Sequence, residues 1–369
     1  MKKVLIVFGT RPEAIKMAPL VKELSKQKEF TTKVCVTAQH REMLDQVLDF
    51  FKIIPDYDLD LMKTNQSLNK LSARILNSID SVLDDFKPNL VLIHGDTTTS
   101  SMVALASFHK GIKIGHVEAG LRTYNKFSPF PEEINRQITG RLADIHFTPT
   151  KQSAKNLLNE GICENTIHIT GNTVIDALFW GLKNINKNRK DIKSLNSFIL
   201  KDKKLIVVTG HRRENFGANF IEFCAALKEL SFREDVQIIY PVHLNPNVQE
   251  TVYKILSNIS NLLLISPLDY EAFIWLLNKS YLIITDSGGV QEEAPSLKKP
   301  VLVTREVTER REAIDQGTVK LVGANKKKIV KEATLLLDNK EVYNTMIGNK
   351  NPYGDGKAAT KIVNFIKGE

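Results

Sequence analysis

Cysteine is scarce in this chain: three in 369 residues, at Cys35, Cys163 and Cys224, with no CxxC pair. That spacing offers neither a metal knuckle nor a disulfide framework, and it fits a reducing compartment. Long apolar runs are missing as well. No segment approaches the roughly 20 apolar residues that a membrane span needs, so no membrane is expected. The run Val4-Leu5-Ile6-Val7-Phe8 behind two lysines is too short for the core of a signal peptide. It reads as a first strand, and a cytoplasmic location is expected. A Walker loop, a GxGxxG fingerprint and a GxSxG elbow are all absent. Gly9-Thr10-Arg11 lacks the second and third glycines of the dinucleotide pattern, which argues against NAD. His40, His94, His116, His146 and His168 show no ligand spacing with cysteines or carboxylates, so neither a metal nor another cofactor is expected. Acidic residues are outnumbered, 42 against 51 Lys and Arg, for a formal charge of +9. The excess is scattered lysine, as in Lys326-Lys327-Lys328, without interleaved aromatics. It describes a solvated surface that helps attract an anionic substrate rather than a nucleic-acid footprint.

What is present is a regular alternation of short apolar runs with longer amphipathic stretches, the pattern of parallel sheets covered by helices. Strands are predicted at 4–8, 32–37, 90–93, 113–117, 145–148 and 166–170, then at 205–209, 237–241, 262–265, 281–285 and 301–303. The length suits two domains of about 150–200 residues. The boundary is predicted at Gly171-Asn172-Thr173, before the polar stretch 183–193. The fold class is therefore α/β, with two Rossmann-like, doubly wound domains facing a central cleft. Ligands of open α/β sheets bind beyond the strand C-terminal ends, and nearly every polar motif here directly follows a predicted strand.

The motif richest in information is Asp286-Ser287-Gly288-Gly289, leading into Val290-Gln291-Glu292-Glu293. Two glycines permit a sharp turn and a close approach, and the next helix start offers backbone N–H groups to a diphosphate. Glu293 is placed to accept from ribose hydroxyls. In the first half, strand one exits into Gly9-Thr10-Arg11-Pro12-Glu13, with Arg11 and Lys16 in reach of phosphate oxygens. Later exits carry Asp96 in His94-Gly95-Asp96-Thr97, Glu118 in Glu118-Ala119-Gly120, and Glu132 in Pro131-Glu132-Glu133. Helix capping is the bland explanation of each acid. Three of them delivered to one sheet edge supply what proton removal and proton return require. The second half adds Gly210-His211-Arg212-Arg213 after a strand, where His211 can donate to phosphate or shuttle a proton. His243 follows another strand exit, and Phe273 can stack on a base, although an aromatic at helical spacing is usually core.

In this order and spacing the motifs closely resemble those of the bacterial non-hydrolysing UDP-N-acetylglucosamine 2-epimerases. The likeness runs from Phe8-Gly9-Thr10-Arg11-Pro12-Glu13 to near Gly323, through His116-Val117-Glu118-Ala119-Gly120-Leu121-Arg122, Gly171-Asn172-Thr173 and Gly210-His211-Arg212-Arg213-Glu214-Asn215. The resemblance implies a glycosyltransferase-B-like fold and a homodimer. With the boundary predicted above the domains are 1–171 and 172–352, and the resemblance implies a C-terminal helix within 353–369 that crosses back onto the first domain. Its catalytic residues fall on Asp96, Glu118, Glu132 and His211, and its UDP contacts on Arg11, Lys16, Phe273, Ser287, Gly288, Gly289, Glu293 and Arg310. Some members are activated by a second UDP-GlcNAc; the matching positions are Gln39, His40, Arg212 and His243.

The implied reaction interconverts UDP-GlcNAc and UDP-ManNAc, which feed cell-surface polysaccharides, without a redox cofactor. The C2 hydrogen adjoins no carbonyl on the ring, so UDP must leave C1 first to acidify it. Proton removal then gives 2-acetamidoglucal, and protonation on the other face with return of UDP inverts C2. Rival readings are an epimerase for another UDP-acetamido sugar, a glycosyltransferase of the same fold, and a UDP-sugar sensor. The carboxylate trio speaks against the transferase, and the intact set of acids and His211 speaks against the sensor.

Overall fold

The computed structural model describes every residue except 39–40, 62–65, 211, 213–215 and 369. The chain forms two α/β units, the first comprising Met1–Trp180 with Tyr353–Glu369, the second Gly181–Pro352.

The first unit is built on strands β1 (Lys2–Phe8), β2 (Phe30–Val36), β3 (Tyr57–Asp58), β4 (Leu90–His94), β5 (Lys113–Val117), β6 (Ile145–Thr148) and β7 (Ile167–Ile169). They form one parallel sheet in the order β3-β2-β1-β4-β5-β6-β7. β1 lies near the middle, and its residues Val4 to Phe8 are completely buried. Each such side chain contributes roughly 1.5–3 kcal/mol of transfer free energy. A strand covered by helices on both faces has no polar side, so its sequence reads as an unbroken apolar run rather than an alternation. The helices Leu68–Phe86 and Thr98–His109 close one face, burying Ile75, Ile79, Leu83 and Val103 against Leu5, Val91 and Ile93.

The second unit holds β8 (Lys204–Thr209), β9 (Val236–Pro241), β10 (Leu262–Ile265), β11 (Leu282–Thr285), β12 (Val301–Val303) and β13 (Val319–Leu321), parallel and ordered β10-β9-β8-β11-β12-β13. Its core joins Ile206, Val208, Phe223, Ile238, Ile284 and Leu302. The expected Rossmann-like, doubly wound class holds for both units. In each sheet the strand order reverses at one place, between β1 and β4 and between β8 and β11. The Gly9–Arg11 and Asp96 segments flank the first of these points, and the Gly210–Arg212 and Asp286–Gly289 segments flank the second.

Three details depart from the sequence reading. β3 and β13 were not predicted; each is an edge strand of two or three residues, too short to show periodicity. Tyr281 precedes β11 rather than starting it; its N–H donates to Leu205 O and its ring stacks on Tyr343 at 4.3 Å. The division between units falls after Trp180, not after Gly171. The helix Thr173–Asn184 is anchored to the first unit, with Trp180 4.8 Å from the Phe51 ring and Asp176 accepting from the Ala358 and Ala359 N–H groups.

That last contact brings the chain terminus home. The helix Ala358–Gly368 packs on the helix Arg11–Leu24, and Phe365 lies 3.8 Å from the His168 ring and 5.8 Å from that of Phe147. Gly171 makes the approach possible: its φ is +91°, and a Cβ there would sit 3.2 Å from the Tyr353 carbonyl oxygen. Among the described residues, no helix is long and apolar enough to cross a membrane.

Candidate functional site

In the first unit the expected site residues gather at the strand ends beside the β1/β4 reversal. Thr10 and Glu13 form a capping box that starts the helix Arg11–Leu24. Glu13 is buried, and its Oε2 accepts from the Gly9 and Thr10 N–H groups at 3.1 and 2.8 Å. Its Oε1 accepts from Thr97 Oγ1 at 2.7 Å and Ser100 Oγ at 3.3 Å. One carboxylate thus ties the loop after β1 to the loop after β4. Burial pushes the Glu13 carboxyl up, against the pull of those donors. Glu13 was not among the expected site residues. The Thr-x-x-Glu spacing was the available signal.

Arg11 opens that helix half-buried, and Lys16 lies one turn further in. Lys16 was expected on phosphate; in the structure its ammonium donates to Glu118 Oε2 in a buried ion pair. Asn172 Nδ2 donates to the same oxygen at 2.6 Å, and His94 Nε2 faces it at 3.8 Å. Glu118 stands at the exit of β5 with φ +62°, a left-handed conformation uncommon for a residue with a side chain. Strain of this kind marks a position fixed by its surroundings. His116, beneath it, bonds Gly95 O through Nε2 at 2.7 Å, and burial pushes its pKa down to about 3.

Asp96 projects beside this cluster, partly exposed. Arg136 clasps its Oδ2 with Nε and Nη2 at 3.0 and 2.7 Å, and Asn135 Nδ2 donates to its carbonyl at 2.9 Å. Both partners lie on the helix Glu132–Leu142, so the helix that begins with Glu132 also grips Asp96. The neighbouring acids of that first turn have separate fates. Glu133 is fully buried and accepts from the Thr123 and Tyr124 N–H groups at 2.9 and 3.1 Å and from Arg136 Nη1 at 3.2 Å. Glu132 remains half-exposed on the helix start.

In the second unit, Arg212 turns back onto the β11 exit. Its N–H donates to Asp286 Oδ2 at 2.8 Å and its Nε to Asp286 O at 3.0 Å. Ser287 then caps the short helix Gly288–Glu293 without a side-chain hydrogen bond to its first turn. Glu293, expected on ribose, is buried and accepts from the Tyr270 hydroxyl at 3.0 Å. Arg310 lies over Gly288, where a Cβ would meet its guanidinium carbon at 2.7 Å. A side chain there would displace the Arg310 guanidinium from this position. Arg310 donates to Glu292 Oε1 at 3.0 Å and pairs with Glu309. Burial opposes ionisation of Glu309, but Arg310 and Arg305 outweigh it and hold the carboxyl below its usual range. Phe273 is half-buried on the helix Tyr270–Lys279, and His243 is exposed, with Nδ1 accepting from the Asn245 N–H at 3.1 Å. His211, Gln39 and His40 lie outside the described residues. Among the described residues no cluster of histidine, cysteine and carboxylates could hold a metal ion.

Each unit therefore offers its own chemistry. The first has carboxylates held by cations and amides beside a strand reversal, fit to move protons. The second has a glycine turn at a helix start with arginine around it, fit for a diphosphate.

The chain is similar to known proteins over its whole length. A family profile described as UDP-N-acetylglucosamine 2-epimerase matches residues 22–367. The UDP-N-acetylglucosamine 2-epimerase of Campylobacter jejuni is 58% identical over 376 residues, covering 100% of this chain and 98% of that one. The crystal structure of UDP-GlcNAc 2-epimerase from Neisseria meningitidis bound to UDP-GlcNAc is 49% identical, with a TM-score of 0.92 and full coverage of both chains. That of the Methanocaldococcus jannaschii enzyme with UDP-GlcNAc and UDP is 32% identical, with a TM-score of 0.83, again over both entire chains. The chain belongs to the UDP-N-acetylglucosamine 2-epimerase family.

Proposed function

We propose that this protein interconverts UDP-GlcNAc and UDP-ManNAc by eliminating UDP and adding it back on an inverted C2. The observation that carries the reading is the Glu118 cluster beside Asp96 in a chain of this family. An acid held by Lys16 and Asn172 stands at a strand end, with a second acid gripped by Arg136 next to it. The meningococcal relative carries UDP-GlcNAc in its crystal structure, and the same compound is the substrate assigned here.

The chemistry follows from where charge develops. The C1–O bond breaks first, and the diphosphate leaves with the bonding pair. Arg11 and Arg310, the Ser287–Gly289 turn and His211 are assigned to stabilise that charge as preorganised donors. Oxocarbenium character at C1 acidifies C2–H, so a carboxylate removes the proton and the C–H pair becomes the C1=C2 bond of 2-acetamidoglucal. A second acid returns a proton to the opposite face while UDP adds back to C1. Asp96, Glu118 and Glu132 are assigned to these transfers, since two faces need two acid/base groups. Every electron pair is accounted for within substrate and protein, so the cycle requires no redox cofactor.

The test is incubation with UDP-GlcNAc in deuterated water, followed at C2 by proton NMR. Solvent deuterium at C2 and a UDP-ManNAc signal, with no NAD or metal added, are expected. Absence of both would remove the assignment.

A further inference from the structure

Buried polar side-chain atoms ordinarily have partners, and each one that lacks them needs an explanation. His94 ends β4 with its side chain 4% exposed, and neither ring nitrogen has a hydrogen-bond partner among the described residues. Leaving a buried donor or acceptor unsatisfied is unfavourable, because it loses its bonds to water and gains none in return. The backbone beneath the ring is fixed, because Ser100 Oγ donates to the His94 carbonyl. Its Nε2 points at Glu118 Oε2 across 3.8 Å, just beyond hydrogen-bonding range.

The donor and acceptor inventory around that oxygen explains the placement. Lys16 brings an ammonium, which only donates. Asn172 presents its NH2 group, because its Oδ1 is already committed to the Val174 N–H at 3.0 Å. Both neighbours suit a carboxylate and neither can accept from a carboxylic acid. Whichever face of C2 Glu118 serves, an acid/base group must spend part of the cycle protonated. Of these three neighbours, only the imidazole carries a free lone pair.

We propose that His94 is a positioning residue for proton transfer at Glu118, its ring nitrogen accepting the hydrogen bond of the protonated carboxyl. The inference rests on the function proposed above and adds a residue to it. Ionised Glu118 is held by Lys16 and Asn172; once it takes a proton, a small rotation closes the 3.8 Å gap and the acid finds an acceptor. The imidazole stays neutral throughout: burial pushes its pKa down to about 4, with Lys16 acting in the same direction and Glu118 and Asp96 against it. His116, the other buried imidazole nearby, turns its Nε2 to Gly95 O, whereas His94 turns its Nε2 to Glu118.

The experiment compares two substitutions of similar length, His94→Gln, which keeps an acceptor, and His94→Met, which does not. Kinetics with UDP-GlcNAc and deuterium entry at C2 are read alongside UDP binding. His94→Met should lose about tenfold or more in kcat with KM and UDP affinity nearly unchanged, whereas His94→Gln should stay within about threefold of the native rate, the difference one hydrogen bond makes. If the Met variant does not fold, His94→Asn replaces it, too short to reach Glu118, and the same split is expected. Equal losses in the acceptor and non-acceptor variants, or native kcat in both, overturn the role. Deuterium entry in the native protein, run in parallel, tests the function itself. Exchange there with no difference between the variants removes His94 alone.

Discussion

Asn172 joins the candidate site to the chain terminus: its Nδ2 donates to Glu118 Oε2 at 2.6 Å and its backbone N–H to the Tyr353 carbonyl at 2.7 Å. The residue lies in the loop after β7, and Tyr353 begins the segment that rejoins the first unit. The C-terminal segment therefore sets the position of a residue that in turn holds the central acid. Asn172→Ala should lower kcat by about tenfold, the loss expected for a charge-assisted hydrogen bond, with a smaller change in KM. Asn172→Asp should be worse, since it places a second carboxylate against the first. Steady-state kinetics decide, and an Asp variant as active as the native protein would contradict the contact's role.

Adjacent glutamates should respond in opposite ways. Glu132→Gln should cut turnover by about 10² or more, as Asp96→Asn and Glu118→Gln should, if each removes a group assigned above to proton transfer. Melting temperatures should hardly move for Glu132→Gln. Glu133→Ala should instead destabilise the protein by about 2–3 kcal/mol, since it strands the Thr123 and Tyr124 amides and the Arg136 guanidinium. Urea denaturation and C2 exchange, run on both variants, separate the two effects.

Asp176 caps the C-terminal helix by accepting from Ala358 and Ala359, yet burial pushes its pKa up to about 6 from an ordinary 3.8. The folded state therefore holds a proton that the unfolded state has released between those values. This group's contribution to stability falls as pH rises from about 4 to about 6. Asp176→Asn keeps an acceptor oxygen and cannot ionise, so it should flatten that decline. Asp176→Ala should cost about 1–2 kcal/mol as a lost cap. Denaturation midpoints across pH 4–7 provide the check.

The buried histidines pull the other way. Burial holds His94 and His116 neutral, with pKa values of about 4 and about 3 against an ordinary 6.5. The unfolded chain binds these protons first, so stability present above pH 6.5 should be lost as pH falls toward 4. His116→Asn, which cannot take up a proton, should reduce the slope of midpoint against pH across that window. An unchanged slope would mean that His116 takes up its proton as readily in the native state as in the unfolded chain.

The local sequence determined the sheet architecture, because buried parallel strands must be continuous apolar runs and their exits must carry the polar loops. β1, β4, β5, β8 and β11 were legible for that reason, and so were the segments bearing Asp96, Glu118 and Ser287. Where pattern was too short to register, as in β3 and β13, only neighbouring strands made a strand of the segment. Tertiary structure also decided what each polar group touches. Nothing local distinguishes Glu132 from Glu133; the loop at Thr123 and Tyr124 does, by offering its amides to one of them. Lys16 meets Glu118, and Asn172 meets Tyr353, across separations no periodicity reports. A strand's burial is written in its own residues, whereas the partner of a buried charge is fixed by whichever distant group the fold brings within about 3 Å.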